Sequence, residues 1–189
     1  MSAQVHEILI YKGEEHLMAS DPFAQFLLKK NIKIKLRSFS TGCLRGYLGK
    51  WEIKDNKLYF IDFQGQAFIG DLKQFPEEIE RAKEFYRKIR VPNKTDKSSD
   101  QIELSPTQIV SLSIKTFFVD QEIIFADWFS GIIRLQTGKF LFPGSTGFTS
   151  IYEEDVFLKF ENGNLIDSKI VKNEIKGRVL PPPPMINLE

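Results

Sequence analysis

Six residues have the side chains to do chemistry: Arg45, Tyr47, Trp51, Asp127, Trp128 and Tyr152. Asp127-Trp128-Phe129-Ser130-Gly131 breaks an apolar stretch with a carboxylate, an indole and a small flexible pair. Gly131 permits a bulge or a close backbone approach. Gathered in one cleft, Asp127 would serve as acid or base and Arg45 as an anion clamp. The aromatics would form a stacking wall for a sugar, nucleotide or peptide. The competing reading is packing: large aromatics anchor cores, which makes Trp51 and Trp128 interior residues and Asp127 a turn cap.

A second group is basic. Residues 29–37 carry five positive charges and no acid, and Lys33, Lys35 and Arg37 alternate with Ile32, Ile34 and Leu36. On a strand the three cations share one face. Such a ridge suits an acidic protein surface or a phosphate backbone, and it also protects an exposed strand edge from aggregation. Glu153-Glu154-Asp155 offers three carboxylates, but neighbours on a strand point to opposite faces, so they do not converge on a metal. Cys43 lies near Arg45, which would activate a thiol, yet a lone cysteine in an apolar setting is a core residue. His6 and His16 are the only histidines; they would face each other across the first hairpin, too few ligands for a structural zinc site. No phosphate-binding glycine loop or nucleophile elbow is present, so no metal and no cofactor is expected.

The chain of 189 residues has 26 basic and 25 acidic side chains, a net charge of +1. That balance disfavours nucleic acid as the partner. With 42% hydrophobic and 27% charged residues the composition is that of a folded globular protein. No apolar run approaches the roughly 20 residues that span a bilayer. Residues 1–7 lack the basic and long apolar regions of a secretory signal. The expectation is a cytoplasmic protein with no membrane partner, and a single thiol fits a reducing compartment.

The elements that would position these residues are mostly strands. Lys12-Gly13, Asp55-Asn56 and Asn162-Gly163 read as tight hairpin turns. Residues 32–37 alternate as a strand, and another strand is expected over 67–72. Strands are expected at 122–128, 130–135 and 139–142, with Thr137-Gly138 as a turn between the last two. Residues 107–118 read as strand, with Ser105-Pro106 as an alternative helix start. Asp21-Pro22 opens a helix over about 22–30. Phe75, Ile79, Ala82, Tyr86 and Ile89 form one apolar stripe of a helix over about 76–90, acidic at its start and basic at its end. The fold class is α+β, mainly β: an antiparallel twisted sheet, sandwich or partly open barrel with two helices. Residues 1–175 form a single β-rich domain with an exposed loop at 93–101, and residues 176–189 form an extended proline-rich tail around Pro181–Pro184. Trp51, Ile53, Phe60, Ile79, Tyr86, Ile133, Leu158 and Phe160 are expected in the core.

The segment Gly46-Tyr47-Leu48-Gly49-Lys50-Trp51-Glu52-Ile53-Lys54-Asp55-Asn56-Lys57-Leu58-Tyr59 resembles a pattern of small bacterial proteins. So do Phe125-Ala126-Asp127-Trp128-Phe129-Ser130-Gly131, Ser150-Ile151-Tyr152-Glu153 and Phe160-Glu161-Asn162-Gly163. The resemblance implies a bacterial or phage-like setting and a single domain; it attaches no activity.

Three functions follow as expectations. The first is a non-catalytic domain that binds another protein through Lys33, Lys35 and Arg37, as an inhibitor or immunity-type protein. The second is a small-ligand binder or enzyme with a cleft at Arg45, Asp127 and Trp128. The third is a structural subunit whose exposed strands dock on neighbours.

Overall fold

The computed structural model describes residues 3–89, 103–145 and 148–174. The expected loop 93–101 and tail 176–189 lie outside the described residues. In chain order come β1 (Glu7–Tyr11), β2 (Glu14–Met18), α1 (Pro22–Lys29), β3 (Tyr47–Lys54), β4 (Lys57–Phe68), α2 (Pro76–Ile89), β5 (Ile109–Leu112), α3 (Ile114–Phe117) and β6 (Ile124–Phe125). Three long strands complete the chain: β7 (Gly131–Phe142), β8 (Ile151–Glu161) and β9 (Asn164–Lys172).

The three expected hairpins form for the expected reason. Both residues of each turn have positive φ, which matches the twist of the flanking strands. The last turn also needs its glycine for space: a β-carbon on Gly163 would lie 2.6 Å from the Ala126 carbonyl oxygen. The bare backbone lets Gly163 N–H donate to the Phe129 carbonyl at 2.8 Å, which fixes residues 126–129 against the turn.

The strands make one mixed, nine-stranded sheet, mostly antiparallel, with β1 and β3 parallel. Pairing runs from β4 through β3, β1, β2, β7, β8 and β9 and returns to β4. The last link is a single residue pair, Lys57 with Asn164, so the sheet is partly ring-like and is not a barrel. β5 and β6 also pair with β4. Leu9, Met18, Trp51, Leu58, Phe60, Ile133, Leu135 and Leu158 are fully buried. Ile53 and Ile79 pack against this core from partly exposed positions.

α1 begins where Asp21 accepts a hydrogen bond from Ala24 N–H at 3.3 Å and Pro22 opens the first turn. Its Phe23 ring meets Phe60, Phe63, Tyr47 and Phe117, tying the helix to β3, β4 and α3. α2 docks by its stripe as far as Tyr86, whose hydroxyl lies 3.5 Å from the Ile109 carbonyl of β5. Phe75 lies 5.3 Å from the Phe117 ring and Ala82 is buried, whereas Ile89 is 54% exposed. Arg81 pairs with Glu78 at 2.9 Å.

Several expected elements differ. Residues 32–37 are extended but join the sheet only where Leu36 bridges Ala67. β3 occupies that side of β4 as far as Gly65, and Lys33 N–H turns instead to the Gln74 side chain. Thr137-Gly138 does not reverse the chain: Thr137 faces Glu154 and Phe140 faces Tyr152, so the extra residue is a bulge within a continuous β7. Residues 67–68 end β4, and 69–71 form a short 3₁₀ turn. Residues 107–118 divide into β5 and α3, and only Ile124 and Phe125 of 122–128 pair as strand. The two histidines do not face each other, since His16 lies opposite Leu9 and His6 precedes β1.

Candidate functional site

β1 sets Glu7 and Leu9 on the buried face, and Glu7 is only 1% exposed. Two of the six chemistry-bearing residues contact this carboxylate, and a third, Tyr47, lies beside them. Trp51 Nε1 donates to Glu7 Oε2 at 2.6 Å, and Arg45 Nε stands 3.2 Å from Glu7 Oε1. The Tyr47 hydroxyl donates to Asp21, the residue that caps α1. The Arg45 guanidinium lies 5.7 Å from the Tyr47 ring centre and 6.0 Å from that of Phe148. Gly49 makes the arrangement possible, because a β-carbon there would sit 2.6 Å from Glu7 Oε2 and 2.8 Å from Trp51 Nε1.

Burial dominates the electrostatics of this cluster. It pushes the Glu7 carboxyl up to about 7, with help from the Asp21 charge and against the Arg45 charge and the Trp51 hydrogen bond. Burial and then the charges of Asp21 and Glu7 hold the Tyr47 hydroxyl far above the ordinary phenol range. Two buried Arg45 nitrogens, Nε and Nη2, have no hydrogen-bond partner among the described residues, and Nε meets Glu7 as an ion pair only.

A second polar group ties the loop after β7 in place, and Phe148 of that loop stands between Arg45 and Arg134. Arg134 grips Asp155 with two hydrogen bonds, at 2.9 and 2.8 Å, and Asn173 donates to the same carboxylate at 3.0 Å. Gln136 donates to the Ser150 carbonyl, and its Oε1 lies 2.6 Å from His6 Nε2. Burial, then the Arg45 and Arg134 charges, lower the His6 pKa, against the raising effect of the Gln136 hydrogen bond.

The other chemistry-bearing residues stand apart. Trp128 packs between Phe26 and Phe118, with ring centres at 4.9 and 5.6 Å. Asp127 is exposed beside it, and among the described residues no hydrogen bond or ion pair joins it to Arg45. Tyr152 meets Phe140 at 5.4 Å near the end of β7. Cys43 is buried, its thiol directed at the Tyr47 carbonyl. Asp155 is buried while Glu153 is exposed, which separates the three consecutive carboxylates. Among the described residues no group of three or more His, Cys, Asp or Glu side chains is placed to hold a metal ion.

Lys33, Lys35 and Arg37 are all exposed, while Ile32, Ile34 and Leu36 between them pack against the core. The alternation survives without a strand ladder. Arg37 lies 5.2 Å from the Phe68 ring centre, and its backbone N–H donates to the Gln66 carbonyl at 2.7 Å. A groove of about 440 Å³ between α2 and β5, lined by Phe85, Tyr86, Ile109 and Val110, contains none of the candidate ligand- or partner-binding residues.

Glu7 is the residue that the sequence reading missed. Its signal is parity: Glu7, Leu9 and Tyr11 share a face, so an interior Leu9 carries Glu7 inside. Among the described residues no helix is long and apolar enough to cross a membrane. No family model, no curated protein and no solved structure matches the chain.

Proposed function

We propose that the protein is a non-catalytic domain that binds an acidic protein surface through Lys33, Lys35 and Arg37, in the manner of an inhibitor or immunity-type protein of the cytoplasm. The observation that carries this reading is the anchored ridge. Ile32, Ile34 and Leu36 fasten the segment to the core, so the three cations emerge on one side of a fixed backbone. Among the described residues none of the three is in an ion pair. At about 3.3 Å per extended residue the ridge spans about 13 Å, a length suited to several carboxylates on a partner. Charges of this kind steer encounter and set orientation more than they add affinity.

The cleft reading has less support. Arg45 is engaged with Glu7, and Trp51 and Trp128 are buried. A buried Glu7 without exposed side-chain surface does not meet a substrate. The buried single cysteine and the absence of a long apolar helix among the described residues agree with the cytoplasmic part of the proposal.

The test is capture from native-cell lysate with wild type and a Lys33→Glu, Lys35→Glu, Arg37→Glu variant of unchanged circular dichroism. A stoichiometric acidic protein held by wild type, released by moderate salt and not held by the variant supports the reading. Equal capture by both chains, or no partner at any salt concentration, overturns it.

A further inference from the structure

β9 is paired on one side only. It runs along β8 from Asn164 to Lys172 and touches β4 at Asn164 alone. Among the described residues no strand lies against its other edge from Ile166 onward. Its side chains are exposed on both faces: Ile166 is 51% and Ile170 61% exposed, and Asp167, Ser168 and Lys169 are exposed between them. The register irregularity opposite Lys159 and Phe160 leaves Ile166 without a β8 partner as well.

The backbone identifies the open edge directly. Asn173 N–H donates to the Glu153 carbonyl at 2.8 Å, which in the β8–β9 register turns the backbone groups of Asp167, Lys169 and Val171 toward β8; the Ser168 N–H is held by its neighbour Asp167 Oδ1 at 2.8 Å. Ladder groups alternate along a strand, so Ser168 and Ile170 present their N–H and C=O groups outward. Such an edge is a template for another strand.

We propose that the occupant is a second copy of this chain, joined by antiparallel β9–β9 pairing about a two-fold axis at Ser168. The sequence Ile166-Asp167-Ser168-Lys169-Ile170 is complementary to itself in that register alone among its neighbours. Ser168 meets the second copy's Ser168. Asp167 meets the second copy's Lys169, and Ile166 meets its Ile170; the symmetry repeats each pair. Two opposite-charge pairs and two apolar pairs therefore form across the axis. An axis at Asp167 sets that carboxylate against itself, and one at Lys169 sets lysine against lysine. The charges thus reject both adjacent registers. A pair of single strands is smaller than a standard stable interface, so the association is concentration-dependent.

Sedimentation equilibrium of the full chain at high micromolar concentration tests this. Wild type gives a two-chain mass that falls toward one chain on dilution. Lys169→Glu and Asp167→Lys each lose the two-chain mass, because each sets like charges opposite one another. The swap Asp167→Lys with Lys169→Asp restores it. Ser168→Cys forms a two-chain disulfide under mild oxidation, since partners in such a pair are about 5.5 Å apart at Cα, within bridging range. Cys43 is buried and gives little background. A one-chain mass for wild type at every concentration overturns the proposal. So does a two-chain mass that survives either single charge reversal, or a charge swap that fails to restore it.

Discussion

Glu7 carries the clearest pH signature at the scale of single residues. Its pKa is raised to about 7 in the folded chain from an ordinary 4.5, so between those values the folded state holds a proton that the unfolded state has lost. This contribution to stability is fully present below pH 4.5 and disappears as pH rises through 7, about 3 kcal/mol in all. His6 acts in the opposite sense, since its lowered pKa favours the folded state as pH rises toward 6.5. The difference between wild type and Glu7→Gln isolates the carboxylate. Urea titrations from pH 5 to 8 should show wild type losing stability relative to Glu7→Gln across that range. Gly49→Ala tests the neighbouring fit: its methyl would fall within 2.8 Å of both partners of the Glu7–Trp51 hydrogen bond. A loss of about 1–3 kcal/mol in denaturant midpoint analysis is expected. The sequence reading selected Arg45, Tyr47 and Trp51 but not their meeting point, because a charged residue at the head of an apolar strand reads as solvent-facing. Only the parity with Leu9 places it inside.

At the scale of elements, the legible features were those with a local cause. Positive-φ turn pairs fixed the hairpins, and Asp21-Pro22 fixed the start of α1. Gly138 also has positive φ, yet it produces a bulge because β8 continues to pair on both sides of it. The alternation at 32–37 reports which side chains are buried and says nothing about whether a partner strand is free. α2 illustrates the same limit: its apolar stripe is regular, but Ile89 at its end is 54% exposed because the sheet covers the stripe only as far as Tyr86. These differences predict unequal costs. Phe23→Ala removes the ring that joins α1 to β3, β4 and α3, and should cost about 3–5 kcal/mol in chemical denaturation. Phe85→Ala on the exposed face of α2 should change stability by less than about 0.5 kcal/mol.

At the scale of the whole molecule, the sequence supports a mainly β class but not the order of strands. The parallel pairing of β1 with β3 and the junction of β2 with β7 are set by side-chain fit between distant segments. No local period encodes either. The same non-local packing turns Trp128 toward Phe26 and Phe118, away from Arg45, and so removes the support for a shared cleft. What remains on the surface is the anchored cationic ridge. Its most direct test is the association rate of the captured partner with wild type and with the triple charge-reversed variant, at low and moderate salt. Steering by Lys33, Lys35 and Arg37 predicts a wild-type rate that falls about tenfold or more as salt is added. The variant should associate slowly at both salt concentrations. Equal rates for the two proteins, with the same salt dependence, would contradict the account.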